Sequence, residues 1–185
     1  GKTLFAANCA TCHGSSGRGD GPAASALVPR PANLAEHRYS FDRLSEVLWN
    51  GSVGTSMSAW RDHAVADLAG MAAAVQSLSM VEPAEAPSEA ILALGARVYE
   101  ANCIQCHGAN GDGRGTAVAE LVVRPTDFRR QQASLAASLR AVREGIIGTR
   151  MALWTDRLRA DETLAVAHYV RSFYQDASTP TGQPR

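Results

Sequence analysis

Residues 9–14 read CATCHG and residues 103–108 read CIQCHG, and the relation between these two stretches decides the fold. They lie 94 positions apart. At the same offset Gly17, Gly19 and Gly21 fall on Gly111, Gly113 and Gly115. Leu27, Val28, Arg30 and Pro31 fall on Leu121, Val122, Arg124 and Pro125. Further on, Gly51 meets Gly145, and GTSMSAW (54–60) meets GTRMALW (148–154), which superposes Met57 on Met151 and Trp60 on Trp154. One offset held over such a span marks a duplicated unit of about ninety residues.

The stretch SMVEPAEAPSE (79–89), with two prolines, three glutamates and little apolar content, reads as a connection between the copies. The expected organisation is a first domain over 1–80, a linker over 81–94, a second domain over 95–175 and a flexible tail over 176–185. Each unit has a helical pattern. An opening helix runs into the cysteine motif, and a glycine-rich loop follows it. Ser40 and Ser134 are suitable N-caps for a middle helix that Gly51 and Gly145 would stop. A closing helix carries Val166, Tyr169, Val170, Phe173 and Tyr174 on one stripe, and Met71, Ala74, Val75 and Leu78 form the matching face of the first unit. No stretch shows the alternation of a strand, so the expected fold class is all-α, two tandem helical domains.

Cys-x-x-Cys-His is the attachment sequence of c-type heme. Two thiols two residues apart on a helical turn reach the two vinyl groups of one porphyrin, and the following histidine comes to lie under the ring. Cys9, Cys12 and His13 form one set, and Cys103, Cys106 and His107 the other. A zinc site would need four ligands converging on one point, which the two motifs could supply only by pooling sulfurs. A redox dithiol would call for a βαβ setting, which the pattern lacks.

A second axial ligand is expected if each iron is to carry electrons. Met57 follows His13 by 44 residues, and Met151 follows His107 by the same 44. Both sit in polar Gly/Ser/Thr loops, unlike Met71 and Met80, and soft thioether sulfur suits ferrous iron. His37, His63 and His168 have no counterpart in the other repeat and read as surface or structural side chains. Pro31 and Pro125 mark a loop whose carbonyls are positioned to orient the proximal histidine, or a simple turn. Arg30 and Arg124 are candidates for pairing with propionates, against the alternative of solvent-facing arginines. Trp60 and Trp154 are candidates for the heme edge, against ordinary core packing. Arg150 stands before Met151 where Ser56 stands before Met57. A nearby cation favours the reduced, less positive centre, so the second site is expected at the higher potential.

The 185 residues carry 18 basic and 18 acidic side chains. Residues 95–185 hold 12 basic and 9 acidic of them, a surplus too small to define a basic face. A single lysine and scattered arginines give no nucleic-acid footprint. No apolar run approaches the roughly 20 residues that span a bilayer, and no secretory leader is visible. The chain opens directly on a helix, consistent with a removed leader or anchor, or with a piece of something longer.

With both motifs placed, the chain resembles the class I cytochromes c in their tandem diheme form, from Gly1 to about Tyr174. The resemblance implies two covalently bound hemes c and an all-α fold in which the first and last helices of each domain cross. Gly95, Tyr99 and Tyr169 match the family's crossing. In the first unit Gly1 and Phe5 match, and Ala74 stands where an aromatic is expected. The resemblance also implies a periplasmic location, soluble or facing the periplasm from a membrane complex. Implied partners are a cytochrome bc-type complex as donor and a terminal oxidase or reductase as acceptor, with membrane association through a partner or a missing anchor. The expected role is single-electron transfer. The alternatives are a heme enzyme of the peroxidase or thiosulfate dehydrogenase type, and a module of a larger membrane oxidase or permease.

Overall fold

The computed structural model describes residues 1–82 and 86–175. In the first unit α1 (Lys2–Asn8) turns at Cys9 into α2 (Ala10–His13), and α3 (Phe41–Asn50) and α4 (Val65–Gln76) follow. In the second, α5 (Glu89–Asn102) turns at Cys103 into α6 (Ile104–His107), with α7 (Leu135–Glu144) and α8 (Ala160–Ser172) beyond. Helix α5 thus begins inside the stretch expected as linker. Ser88 opens it, its Oγ accepting from the Ile91 amide at 3.4 Å, so the apolar residues of 91–94 already belong to a helical face. The tail expected at 176–185 lies outside the described residues.

The middle helices are bounded as the sequence dictates. Ser40 Oγ accepts the Arg43 amide at 3.2 Å and Ser134 Oγ accepts the Ala137 amide at 3.1 Å, each satisfying an otherwise orphaned first-turn donor. Gly51 and Gly145 close these helices at φ of 73° and 70°, where a side chain would be strained.

Each unit closes by crossing its first helix on its last. Here the repeat offset becomes 95, because one residue is inserted before α8. Gly95 faces Ala165 as Gly1 faces Gly70, and a Cβ on Gly95 would lie 2.3 Å from the Ala165 carbonyl. Tyr99, Tyr169 and Phe173 pack around the second crossing with ring centroids 5.0–5.4 Å apart. The first unit substitutes Phe5, Ala74 and Leu78 on a core of Leu44, Leu48, Leu68, Met71 and Val75. At its crossing two glycine backbones meet where the aromatic is missing, and a Cβ on Gly1 would lie 2.0 Å from the Gly70 carbonyl. Helix α8 ends at Ser172, so Tyr174 leaves the stripe predicted for it. Its ring instead lies 5.4 Å under the Arg38 guanidinium of the first unit.

The fold is helical as expected, with one small sheet added between the units. Strand β1 (His37–Tyr39) of the first unit pairs antiparallel with β2 (Gln131–Ala133) of the second, with Arg38 opposite Gln132. At the 94-residue offset these strands are equivalent, so each pairs with its own duplicate about a local two-fold relation. The flanking bonds repeat that symmetry: the Ser40 amide donates to the Arg130 carbonyl at 2.8 Å and the Ser134 amide to the Glu36 carbonyl at 2.7 Å. Three residues are too few to show a period in sequence. The strands exist because each finds an unpaired backbone edge in the other unit. Among the described residues no helix is long and apolar enough to cross a membrane.

Candidate heme sites

The cysteine motifs sit at the elbow between the first two helices of each unit. Cys9 and Cys103 cap α1 and α5, donating backbone N–H to the Phe5 and Tyr99 carbonyls at 2.8 Å. Cys12, His13, Cys106 and His107 follow on the short helical turns. All four thiols are unbridged and half-buried. Burial, reinforced by Cys106, pushes the Cys103 thiol up to about 11, and burial with Cys12 pushes Cys9 the same way. Both therefore remain thiols at neutral pH.

The glycine-rich loop then folds back beneath the histidine. The Gly19 amide donates to the His13 carbonyl at 2.8 Å, and the Gly113 amide to the His107 carbonyl at 2.9 Å. At these two glycines φ is positive, and a Cβ would lie 2.5 Å from the Pro31 carbonyl and 2.6 Å from the Pro125 carbonyl respectively. Only glycine lets the proline loop come this close. The result is a carbonyl brought up to the imidazole, but from the residue after the proline. His13 Nδ1 lies 3.0 Å from the Ala32 carbonyl. Nδ1–H donates there, which leaves the Nε2 lone pair for a metal. In the second unit the Thr126 carbonyl faces His107 Nδ1, yet the contact falls outside hydrogen-bond geometry and the nitrogen is buried without a partner. Instead, Phe128 stacks on the His107 ring at 4.8 Å. Burial lowers both imidazoles against the opposing pull of these carbonyls, His107 to about 4, so both are neutral and available as ligands.

The methionine loops are twins. The Ser52 amide donates to the Met57 carbonyl at 2.8 Å, and the Ile146 amide to the Met151 carbonyl at 3.0 Å. A threonine two residues before each methionine ties the loop from within. Thr55 Oγ1 donates to the Ser52 carbonyl at 2.7 Å and accepts the Met57 amide at 3.1 Å. Thr149 does the same with Ile146 and Met151, at 2.8 and 3.0 Å. The sequence held this signal in the shared GT-x-M of the repeat, beside the more conspicuous methionine and tryptophan. Trp60 and Trp154 anchor each loop's exit, their amides donating to the Leu48 and Val142 carbonyls at 2.7 and 3.0 Å.

In the first unit Cys9, Met57 and Trp60 all pack on the same buried cluster. In the second, Cys103 reaches the cluster of Val98, Tyr99 and Val166, and Trp154 lies instead beneath the Arg157 guanidinium. Arg30 and Arg124 are exposed, next to half-buried Pro31 and Pro125. Among the other histidines, His37 Nδ1 lies 2.8 Å from the Asn33 carbonyl and His63 packs on the Trp60 ring at 5.3 Å. Both are structurally occupied, as their sequence context suggested.

These residues fit a porphyrin on three counts. Two unbridged cysteines stand within one helical turn before a histidine whose Nδ1 is turned to a backbone carbonyl. The second unit's own core cluster has only three buried members, Val98, Tyr99 and Val166, among half-buried apolar neighbours, a centre that an apolar macrocycle would complete. A soft sulfur is held in a rigid loop at the same spacing in each copy. The pooled zinc site fails geometrically, since among the described residues no three His, Cys, Asp or Glu side chains converge to hold a metal ion.

Comparison with known proteins agrees. The family model for cytochrome c matches residues 1–74 and again 92–173. The cbb3-type cytochrome c oxidase subunit FixP of Azorhizobium caulinodans is 31% identical over 61% of this chain and 39% of its own length. FixP of a Bradyrhizobium species is 28% identical over 93% of this chain and 59% of its own length. The chain thus spans well under two thirds of the curated relatives it matches. A chain of the reducing HAO-like protein complex of Kuenenia stuttgartiensis superposes over 94% of this chain and 95% of its own, with a TM-score of 0.46 and 23% identity.

Proposed function

Because the chain belongs to the cytochrome c family and its two domains each bind a covalently attached heme c, we propose that it is a two-centre electron relay with His/Met ligation at both irons. Electron transfer by a heme cytochrome is the family's activity; the ligand set, the partners and the direction of flow are our reading. His13 and Met57 hold the first iron, His107 and Met151 the second, with thioethers from Cys9, Cys12, Cys103 and Cys106. Bound heme supplies a one-electron iron couple. A histidine and a methionine of the chain committed to each iron would close it to substrates, which favours electron transfer over substrate chemistry and argues against a peroxidase or thiosulfate dehydrogenase role. The observation that carries this reading is the pair of identical threonine-tied loops presenting Met57 and Met151.

The two centres differ in ways that support a higher potential at the second. His13 donates Nδ1–H to the Ala32 carbonyl at 3.0 Å, whereas the Thr126 carbonyl that faces His107 Nδ1 lies outside hydrogen-bond geometry. That bond makes imidazole a stronger donor to iron and so favours the ferric state at the first site. Arg150 beside Met151 acts in the same sense. The similarity to FixP proteins supports a periplasm-facing place beside a respiratory oxidase, either as a module of a larger membrane subunit or as a separate relay fed by a cytochrome bc-type complex. Exposed Arg30 and Arg124 remain candidates for propionate pairing from the proline loop.

Potentiometric titration of the matured protein, with Met57→Ala and Met151→Ala beside it, tests the assignment. Each variant is expected to lower one potential, abolish one thioether-to-iron absorption band and leave the other centre unchanged, with Met151→Ala removing the higher of the two. Two unaltered potentials in either variant would refute the ligand assignment.

A further inference from the structure

The surface between the units carries a charge pattern that duplication alone would not produce. Position 36 of the first repeat corresponds to 130 in the second, and position 46 to 140. The first unit has glutamate at both, Glu36 and Glu46. The second has arginine at both, Arg130 and Arg140. The local two-fold relation crosses them: Arg130 pairs with Glu46 at 2.6 Å, and Arg140 pairs with Glu36. Glu46 also receives Arg43 of its own helix at 3.4 Å. A first unit set against another first unit would oppose glutamates in both pairs, and two second units would oppose arginines.

The same symmetry brings each methionine loop onto the other unit's proline loop. A Cβ on Gly54, three residues before Met57, would lie 2.5 Å from the Val122 carbonyl. Its duplicate Gly148, three residues before Met151, meets Val28 and Pro29, with the Val28 Cγ1 at 2.5 Å from that hypothetical Cβ. Val28 and Val122 precede the loops whose Ala32 and Thr126 carbonyls face the proximal histidines. Each unit therefore backs the sulfur-bearing loop of the other.

We propose that the crossed glutamate–arginine pairs are a recognition code that seats the first unit on the second and rejects a like unit, and that this seating clamps both methionine loops in their ligating position. The loop part rests on the axial-ligand reading above; the recognition part does not. Opposite charges at an interface select the right partner chiefly by penalising the wrong one. A short strand pair alone would accept either unit, because backbone edges carry no identity.

The matured two-heme protein tests this by small-angle scattering and by the thioether-to-iron band of the ferric state. The Glu36→Arg/Glu46→Arg variant is expected to lose the compact scattering profile and to lose band intensity at both centres. Adding Arg130→Glu and Arg140→Glu restores the crossed pairs with reversed sign and should recover both readouts. A double variant as compact as the wild type overturns the code, as does a quadruple variant with native helical content that stays extended. A double variant that opens while both bands keep full intensity overturns the clamp. Absence of the band from the wild-type protein would refute the ligand reading itself, and the clamp with it, while scattering still decides the code.

Discussion

Replacing Thr55 with valine removes one hydroxyl and leaves the side-chain shape, and its consequence should be read at the iron. That hydroxyl makes two hydrogen bonds, to the Ser52 carbonyl at 2.7 Å and from the Met57 amide at 3.1 Å. A neutral hydrogen bond contributes about 1 kcal/mol net, and less where water can replace it. Thr55 is half-buried, so the two together are worth about 1–2 kcal/mol. This energy separates the loop that presents Met57 from looser conformations that withdraw it. One to two kcal/mol is a factor of about 5–30 in that equilibrium. An external ligand such as imidazole must wait for the methionine to leave, so its apparent dissociation constant scales inversely with the fraction of open loop. Imidazole titration of the ferric protein should therefore show the first centre binding about 5–30 times more tightly in Thr55→Val. The second centre, held by Thr149, is the internal reference and should not change. Thr55→Ser keeps the hydroxyl and should behave like wild type. An unchanged first centre in the valine variant, or an equal shift in the serine variant, would show that the hydroxyl does not hold the loop.

The helix crossings make a second prediction. Gly95→Ala gains about 1 kcal/mol of helix propensity but forces a methyl to 2.3 Å from the Ala165 carbonyl and 2.7 Å from Tyr169 Cβ, and overpacking of this kind costs about 1–3 kcal/mol. A lowered denaturation midpoint is expected. Gly70→Ala, whose methyl would come no nearer than 3.3 Å to Gly1, should be neutral or mildly stabilising; equal midpoints for the two variants would discredit the crossing geometry. A third concerns pH. Burial pushes the Asp127 carboxyl up, but the bonds from Arg129, at 2.8–3.1 Å, together with the Arg130 charge outweigh it and hold Asp127 below the usual carboxylate range. Because the folded value is the lower one, the pair stabilises the fold above the ordinary carboxylate pKa of about 3.9 and loses that contribution as pH falls through the folded value. Asp127→Asn should flatten the acid limb of the stability profile below about pH 4, and denaturation curves that keep the wild-type slope there would remove Asp127 from the account.

What the sequence determined alone was everything carried by short spacing. Two thiols and a histidine within five residues define covalent heme attachment without reference to the rest of the chain. Ser40, Ser134, Gly51 and Gly145 bound their helices because capping is satisfied within one turn. The repeat located Met57 and Met151 because duplication preserves spacing even where no chemistry is visible between. Tertiary structure decided what depends on residues distant in the chain or on the other unit. The acceptor for His13 is Ala32 rather than its proline neighbour, because Gly19 lets the Pro31 carbonyl press against its own backbone and turns the next carbonyl toward the ring. At His107 the equivalent Thr126 carbonyl faces the ring outside hydrogen-bond geometry, a difference that identical prolines could not reveal. The paired strands and the crossed charges need both units in place, since a backbone edge or a lone glutamate has no partner until the chain returns to it. Local hydrogen bonding can be read along one chain. Complementarity between surfaces is a property of two, and only folding brings them together.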